Sequence, residues 1–195
     1  MALRHVPGEV EPAAQPRARA DEIDEGETRR RPVVRDLHVV VALPDRSALQ
    51  LDGESRSLGW NGGAAIGAKM AAPDKTIVAM TGDGSYMFSI PSTVHWMARK
   101  YATPFLQVVF NNRGWKAPRF SALSVHPDGY ASRANNLDLS FDPPPDYSAI
   151  AAAAGGAFAL KVERAEDREA AVAEAFDQVR NHGRAAVLDV WLAQP

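Results

Sequence analysis

The chain has 195 residues and a formal net charge of −2, with 22 Lys and Arg set against 24 Asp and Glu. That balance offers no basic field for nucleic acid or anionic lipid, so neither is an expected partner. The absence of cysteine excludes a disulfide framework, a thiolate metal site and a cysteine nucleophile; it leaves any metal to oxygen or histidine ligands and fits a reducing cytoplasm.

The first residues, MALRHVPGEVEPAAQ, lack the apolar middle of a signal peptide, and no apolar run reaches the roughly 20 residues of a spanning helix. A soluble, cytoplasmic protein is expected. Residues 1–36 are rich in Pro, Ala, Arg and Glu and poor in large apolar side chains. Such a segment buries too little surface to offset its ordering entropy, which predicts a disordered tail. Residues 37–57 read as an irregular linker, with LHVVVALP as an isolated strand and SALQLDG as a turn. The remainder, residues 58–195, is long enough to bury about two-thirds of its unfolded surface as one domain.

From Gly59, the stretch GWNGGAAIGAKMAAP predicts a helix that starts at a glycine-rich turn and stops before Pro73. KTIVAMTGDG is a short apolar run ending in a turn, and ATPFLQVVFNNRG repeats the design after a helical stretch from Ser89 to Tyr101. Strand, helix, strand is a βαβ unit with parallel strands. Lys116 to Pro145 is polar and irregular, too long for a simple connector, and reads as a functional loop or lid. A helix from Tyr147 to Ala154, a strand AFALKVE, an amphipathic helix from Asp167 to Asn181 and a buried strand AAVLDVWLA complete the chain. The fold expected is α/β, a doubly wound parallel sheet with helices on both faces.

Ligands of parallel sheets sit beyond the carboxyl ends of the strands. Two strands end here in unusual polar groups, one in Gly82-Asp83-Gly84-Ser85 and the other in Asn111-Asn112-Arg113-Gly114. One crossover separates them, so Asp83 and Asn112 can emerge side by side. A carboxylate, an amide oxygen and a nearby backbone carbonyl are hard ligands of the kind Mg²⁺ takes while keeping phosphate oxygens and water. Gly84 and Ser85 can bring bare N–H groups, a hydroxyl and a helix's positive end against the same phosphates.

The pairing of GDGS with Asn111-Asn112 after Tyr86 to Phe110 resembles the thiamine diphosphate-binding motif. Ile66-Gly67, Pro73, Val78 and Met80 ahead of Gly82-Asp83-Gly84-Ser85 fit the wider signature of acetolactate synthase, benzoylformate decarboxylase and pyruvate decarboxylase-like enzymes. The resemblance runs from about Leu58 to Leu192 and is closest to the acetolactate synthase-like enzymes. It implies thiamine diphosphate and Mg²⁺ as cofactors. Asp83, the Asn112 side chain and the Gly114 carbonyl would be the Mg²⁺ ligands, and Gly82, Gly84 and Ser85 would adjoin the diphosphate. Leu58 matches the apolar residue that bends the cofactor into a V shape; Arg56 and Ser57 stand where the family usually has glycines.

The resemblance also implies a glutamate that activates the aminopyrimidine so that the cofactor can serve as electron sink for a 2-oxo acid. In the family it belongs to a separate pyrimidine-binding domain. Glu9, Glu11, Glu22, Glu25, Glu27 and Glu54 have no strand and helix framework to aim them, so no catalytic residue is assigned. The expected partner is a pyrimidine-binding domain on another chain, or a second copy in a homo-oligomer. Two alternatives stay open: a truncated, non-catalytic remnant of such an enzyme, and an unrelated phosphate-binding α/β module.

Other polar residues have plainer readings. His95 falls among apolar helix neighbours as a packed histidine, and His126 as a solvated loop residue. Arg113, Lys116 and Arg119 read as a solvated basic cluster, with pairing to a substrate carboxylate as the alternative. Trp60, Trp96, Trp115 and Trp191 read as core or interface aromatics.

Overall fold

The computed structural model describes residues 39–43, 49–52, 58–134 and 137–192, with side chains for the last two stretches. The expected disordered tail, residues 1–36, lies outside the described residues, as do Glu54, Arg56 and Ser57. Among the described residues the sheet has six strands. They are β1 (Val39–Leu43), β2 (Leu49–Asp52), β3 (Thr76–Gly82), β4 (Leu106–Asn111), β5 (Phe158–Val162) and β6 (Ala186–Trp191), in the spatial order β2-β1-β3-β4-β6-β5.

The β3-β4-β6-β5 portion is parallel throughout, as expected of apolar runs that end in turns. The hairpin at its edge departs from expectation. LHVVVALP contributes no isolated strand: β1 pairs antiparallel with β3, with Val41 opposite Val78. SALQLDG, read as a turn, supplies β2, which pairs antiparallel with β1. Four residues of modest β character gain a ladder only because β1 already offers one, and that partner lies outside the local pattern.

Side-chain alternation on the strands sorts the core into two layers. Ile77 and Ala79 of β3 pack with Ala65 and Ile66 of α1 (Asn61–Ala71) and with Val94 and Ala98 of α3 (Pro91–Lys100). On the same face Val109 and Val187 meet Tyr86 of α2 (Asp83–Phe88) and Tyr147 and Ala151 of α6 (Tyr147–Gly155). Val78, Leu106, Ala186 and Leu188 point the other way, against Ala171, Ala175 and Val179 of α7 (Arg168–Arg180). The sheet is therefore covered on both faces. No helix of the described residues is long and apolar enough to cross a membrane.

Local chemistry sets several boundaries. Asp146 caps α6 by accepting the Ala149 N–H at 2.8 Å, and Gly156 ends it at φ 65°. Pro91 opens α3 at a position where no N–H is needed. The helix expected from Ser89 to Tyr101 is α3; a short helix, α2, precedes it, and the two are separated at Ile90 with φ 54°. Gly59, at φ 84°, lets the start of α1 approach α2 so closely that a Cβ there would lie 2.6 Å from the Phe88 carbonyl carbon.

The segment from Lys116 to Pro145 is less irregular than its composition suggests. It holds α4 (Lys116–Val125) and the single turn α5 (Tyr130–Arg133). Pro118 falls in the first turn of α4, where a proline does not break the ladder.

Candidate functional site

The carboxyl ends of β3 and β4 open on a cavity of about 340 Å³. Leu58, Gly82, Asp83, Gly84, Ser85, Asn112 and Gly114 all line it, so the seven residues singled out from the sequence converge on one space. The far wall is Trp115 and the start of α4.

Asp83 is the anchor. The residue is 2% exposed, and its two carboxylate oxygens accept from separate strand ends: Oδ1 from Gly84 N–H at 2.8 Å and Oδ2 from Gly114 N–H at 3.2 Å. Burial raises its pKa above the usual carboxylate value, and N–H groups of the two loops, Gly84 first, pull it back. A buried carboxylate held only by neutral donors is well suited to a cation.

The second loop is shaped by its first asparagine. Asn111, fully buried, accepts the Arg113 N–H at Oδ1 (3.1 Å) and donates from Nδ2 to Asp189 (2.9 Å). Arg113 sits at φ 61° in the left-handed region, and its carbonyl accepts from Phe141 N–H at 2.9 Å. Asn112 lines the cavity, and its amide takes no hydrogen bond from another described residue. The Gly114 carbonyl accepts from Lys116 N–H at 3.1 Å, which leaves it a second lone pair.

Gly84 and Ser85 occupy the first turn of α2. A Cβ on Gly84 would lie 2.4 Å from Trp115 Cζ3, so only glycine allows that ring to close over the turn. Trp115 is held edge-on by Phe88 and Phe141, with ring centres 5.4 and 5.1 Å away. Ser85 Oγ accepts the Gly59 N–H at 2.9 Å, which ties the start of α1 to the same turn. Leu58, beside it, is 41% exposed.

The donor set fits a hydrated Mg²⁺ shared with phosphate better than a metal caged by protein. Among the described residues no group of three or more His, Cys, Asp or Glu could hold an ion. One fastened carboxylate, an amide and a carbonyl are what such an ion takes from protein when phosphate oxygens complete its shell. The open space at Gly82, where a Cβ would meet nothing within 4 Å, leaves room for them.

Three contributors were not singled out in the sequence. Asn111 was visible only as the first half of an Asn-Asn pair, Asp189 as one acid inside an apolar strand, and Trp115 as an aromatic with no assigned chemistry. His95 is 1% exposed, its Nε2 is 2.8 Å from the Tyr86 hydroxyl and its ring stacks on Phe105. Of Arg113, Lys116 and Arg119, only Lys116 lines the cavity.

A parallel sheet whose neighbouring strand ends carry a fastened aspartate and an Asn-Asn-x-Gly turn over one cavity has the form of an α/β domain suited to a diphosphate and its cation. Comparison with known proteins gives the family. The model of the family "Thiamine pyrophosphate enzyme, C-terminal TPP binding domain" matches residues 37–190; thiamine pyrophosphate is another name for thiamine diphosphate. Sulfoacetaldehyde acetyltransferase of Alcaligenes xylosoxydans xylosoxydans is 32% identical over 125 residues, 64% of this chain and 19% of that protein. Acetolactate synthase isozyme 3 large subunit of Escherichia coli is 31% identical over 140 residues, 69% of this chain and 22% of that protein. Among solved structures, benzoylformate decarboxylase from Polynucleobacter necessarius superimposes with a TM-score of 0.56 at 24% identity, over 72% of this chain and 25% of that one.

The chain belongs to the thiamine diphosphate enzyme family as a C-terminal cofactor-binding domain. Thiamine diphosphate is the cofactor of that domain, and Mg²⁺ is the usual companion ion in these families. The chain spans about a fifth of the length of the curated relatives it matches. The match begins at residue 37, ahead of the resemblance seen from Leu58, and so takes in the β1-β2 hairpin. Family membership also removes the alternative of an unrelated phosphate-binding module.

Proposed function

We propose that this chain is the diphosphate-holding half of an acetolactate synthase-like enzyme that decarboxylates or joins 2-oxo acids. The observation that carries the reading is the convergence of Asp83, Asn112 and Gly114 on one cavity with Gly82, Gly84 and Ser85. In this reading Asp83, the Asn112 amide oxygen and the Gly114 carbonyl hold Mg²⁺. Gly84 and Ser85 face the diphosphate, and Leu58 lies against the cofactor's middle. Thiamine diphosphate supplies an electron sink for the carbon chemistry; the residues here bind it, orient it and exclude water from its charged end.

The activating glutamate comes from a pyrimidine-binding domain, carried on another polypeptide or presented across a homo-oligomer in the cytoplasm. The exposure of Leu58 (41%), Met87 (40%), Phe88 (59%) and Ile90 (63%) supports a partner surface.

Calorimetric titration with thiamine diphosphate, with and without Mg²⁺, tests the binding half of the proposal. The expected result is binding that requires Mg²⁺ and is lost in Asp83→Ala. Binding indifferent to both overturns the ligand assignment, and no binding at all supports a non-catalytic remnant. Robust decarboxylation of pyruvate by the purified chain alone overturns the need for a partner domain.

A further inference from the structure

The loop that carries Asn112 and Gly114 is held from below by a pair of buried polar residues. Asn111 and Asp189 are both 0% exposed, on neighbouring parallel strands, and point to the same face of the sheet. Their side chains meet at 2.9 Å across 78 residues of chain, with Asn111 Nδ2 donating to Asp189 Oδ1. Burying a carboxylate in the middle of an apolar strand is costly unless its hydrogen bonds are worth keeping.

The orientation of the Asn111 amide follows from its two ends. The Arg113 N–H can only donate, so the amide oxygen must face it. The amide nitrogen then faces Asp189, which accepts. An apolar residue at 189 would leave the nitrogen buried without a partner, which favours turning the amide away from the Arg113 N–H. Arg113 depends on this amide because its left-handed conformation, φ 61°, is unfavourable for an L-residue and persists only where neighbours hold it. That turn brings the Gly114 N–H to Asp83 Oδ2 and sets Asn112 on the cavity wall.

We propose that Asp189, acting through Asn111, is a positioning residue for the cation loop: it locks the amide that holds Arg113 and so places Asn112 and Gly114 opposite Asp83. The inference rests on the reading of those three residues as the ion's ligands. It assigns a role to two residues that need not touch ion or cofactor.

The test compares the full chain with Asp189→Leu, which removes the acceptor, and Asp189→Asn, which keeps an oxygen for Asn111 Nδ2. Amide hydrogen exchange at Arg113 and Gly114 is read without any ligand. Mg²⁺ affinity is then measured by calorimetry in saturating thiamine diphosphate. Asp189→Leu is expected to speed exchange at those two amides at least about tenfold, with the β5 amides unchanged, and to weaken Mg²⁺ about 10- to 100-fold, the usual effect of losing a ligand's supporting partner. Asp189→Asn restores both.

Wild-type exchange at Arg113 and Gly114 in Asp189→Leu overturns the proposal, as does acceleration shared equally with β5, which marks general loosening. Asn111→Ser, which shortens the acceptor away from Arg113, supplies the same comparison if Asp189→Leu does not fold. Failure of the wild type to bind Mg²⁺ with thiamine diphosphate overturns the ligand assignment instead, while the exchange pattern still decides whether Asp189 holds the loop.

Discussion

The Gly114 N–H donates to Asp83 Oδ2 at 3.2 Å, joining two strand ends that lie 31 residues apart in the chain. One carboxylate oxygen is thus used to fasten the two loops to each other, and the other, Oδ1, fastens the start of α2 through Gly84. Asp83 is structural before any ion arrives. Each oxygen keeps a lone pair for a cation, so the same side chain can set the loops and hold the ion.

Asp83→Asn separates these two duties. The amide retains one acceptor and the volume but loses the charge, and it places a donor against one of the two N–H groups. Mg²⁺-dependent binding of thiamine diphosphate is expected to fall at least about 100-fold, or about 2.7 kcal/mol. Calorimetry of the folded variant checks the loss; affinity within threefold of wild type would remove Asp83 from the ligand set.

Gly84→Ala addresses the contact with Trp115. The added methyl would sit 2.4 Å from Cζ3, and the ring is confined by Phe88 and Phe141. A destabilisation of about 1–3 kcal/mol is expected from overpacking. In a Trp115→Ala background the same substitution should cost far less. Urea unfolding of the four proteins of this cycle measures the coupling directly.

His95 should make stability depend on pH. Burial holds its pKa down to about 4, against 6.5 for an ordinary histidine. The folded state therefore refuses a proton that the unfolded state takes up as pH falls below 6.5. Stability is complete above that value, falls by about 3 kcal/mol between pH 6.5 and 4, and levels off below. Denaturation at a series of pH values checks the slope, and His95→Gln should flatten the part of it that belongs to this ring.

Ile90 carries a β-branched side chain at φ 54°, with 63% of its surface exposed. The left-handed conformation costs about 1–2 kcal/mol there, and little burial offsets it. Ile90→Asn is expected to raise the stability of the isolated chain by about 1 kcal/mol. A lower melting temperature would mean that the side chain is held by contacts outside this picture.

Much of the site was legible in the sequence because its parts are local. Each loop follows its own apolar run, so Gly82-Asp83-Gly84-Ser85 and Asn111-Asn112-Arg113-Gly114 could be placed at strand ends, and the parallel crossover put those ends together. The segment from Lys116 was harder: its prolines and polar residues suggest a loop, yet Pro118 falls in the one turn of α4 that tolerates it. SALQLDG forms β2 against β1 for a reason that no short window contains.

The order and type of the central elements, the binding loops and the kind of ligand they suit were determined by the sequence alone, because periodicity and turn chemistry act over a few residues. Only the tertiary structure decided what holds those loops in place. Asp83 with Gly114, Gly84 with Trp115 and Asn111 with Asp189 are contacts between elements far apart in the chain. They exist because parallel strands bring distant residues to one rim, where burial makes each hydrogen bond and each missing Cβ count.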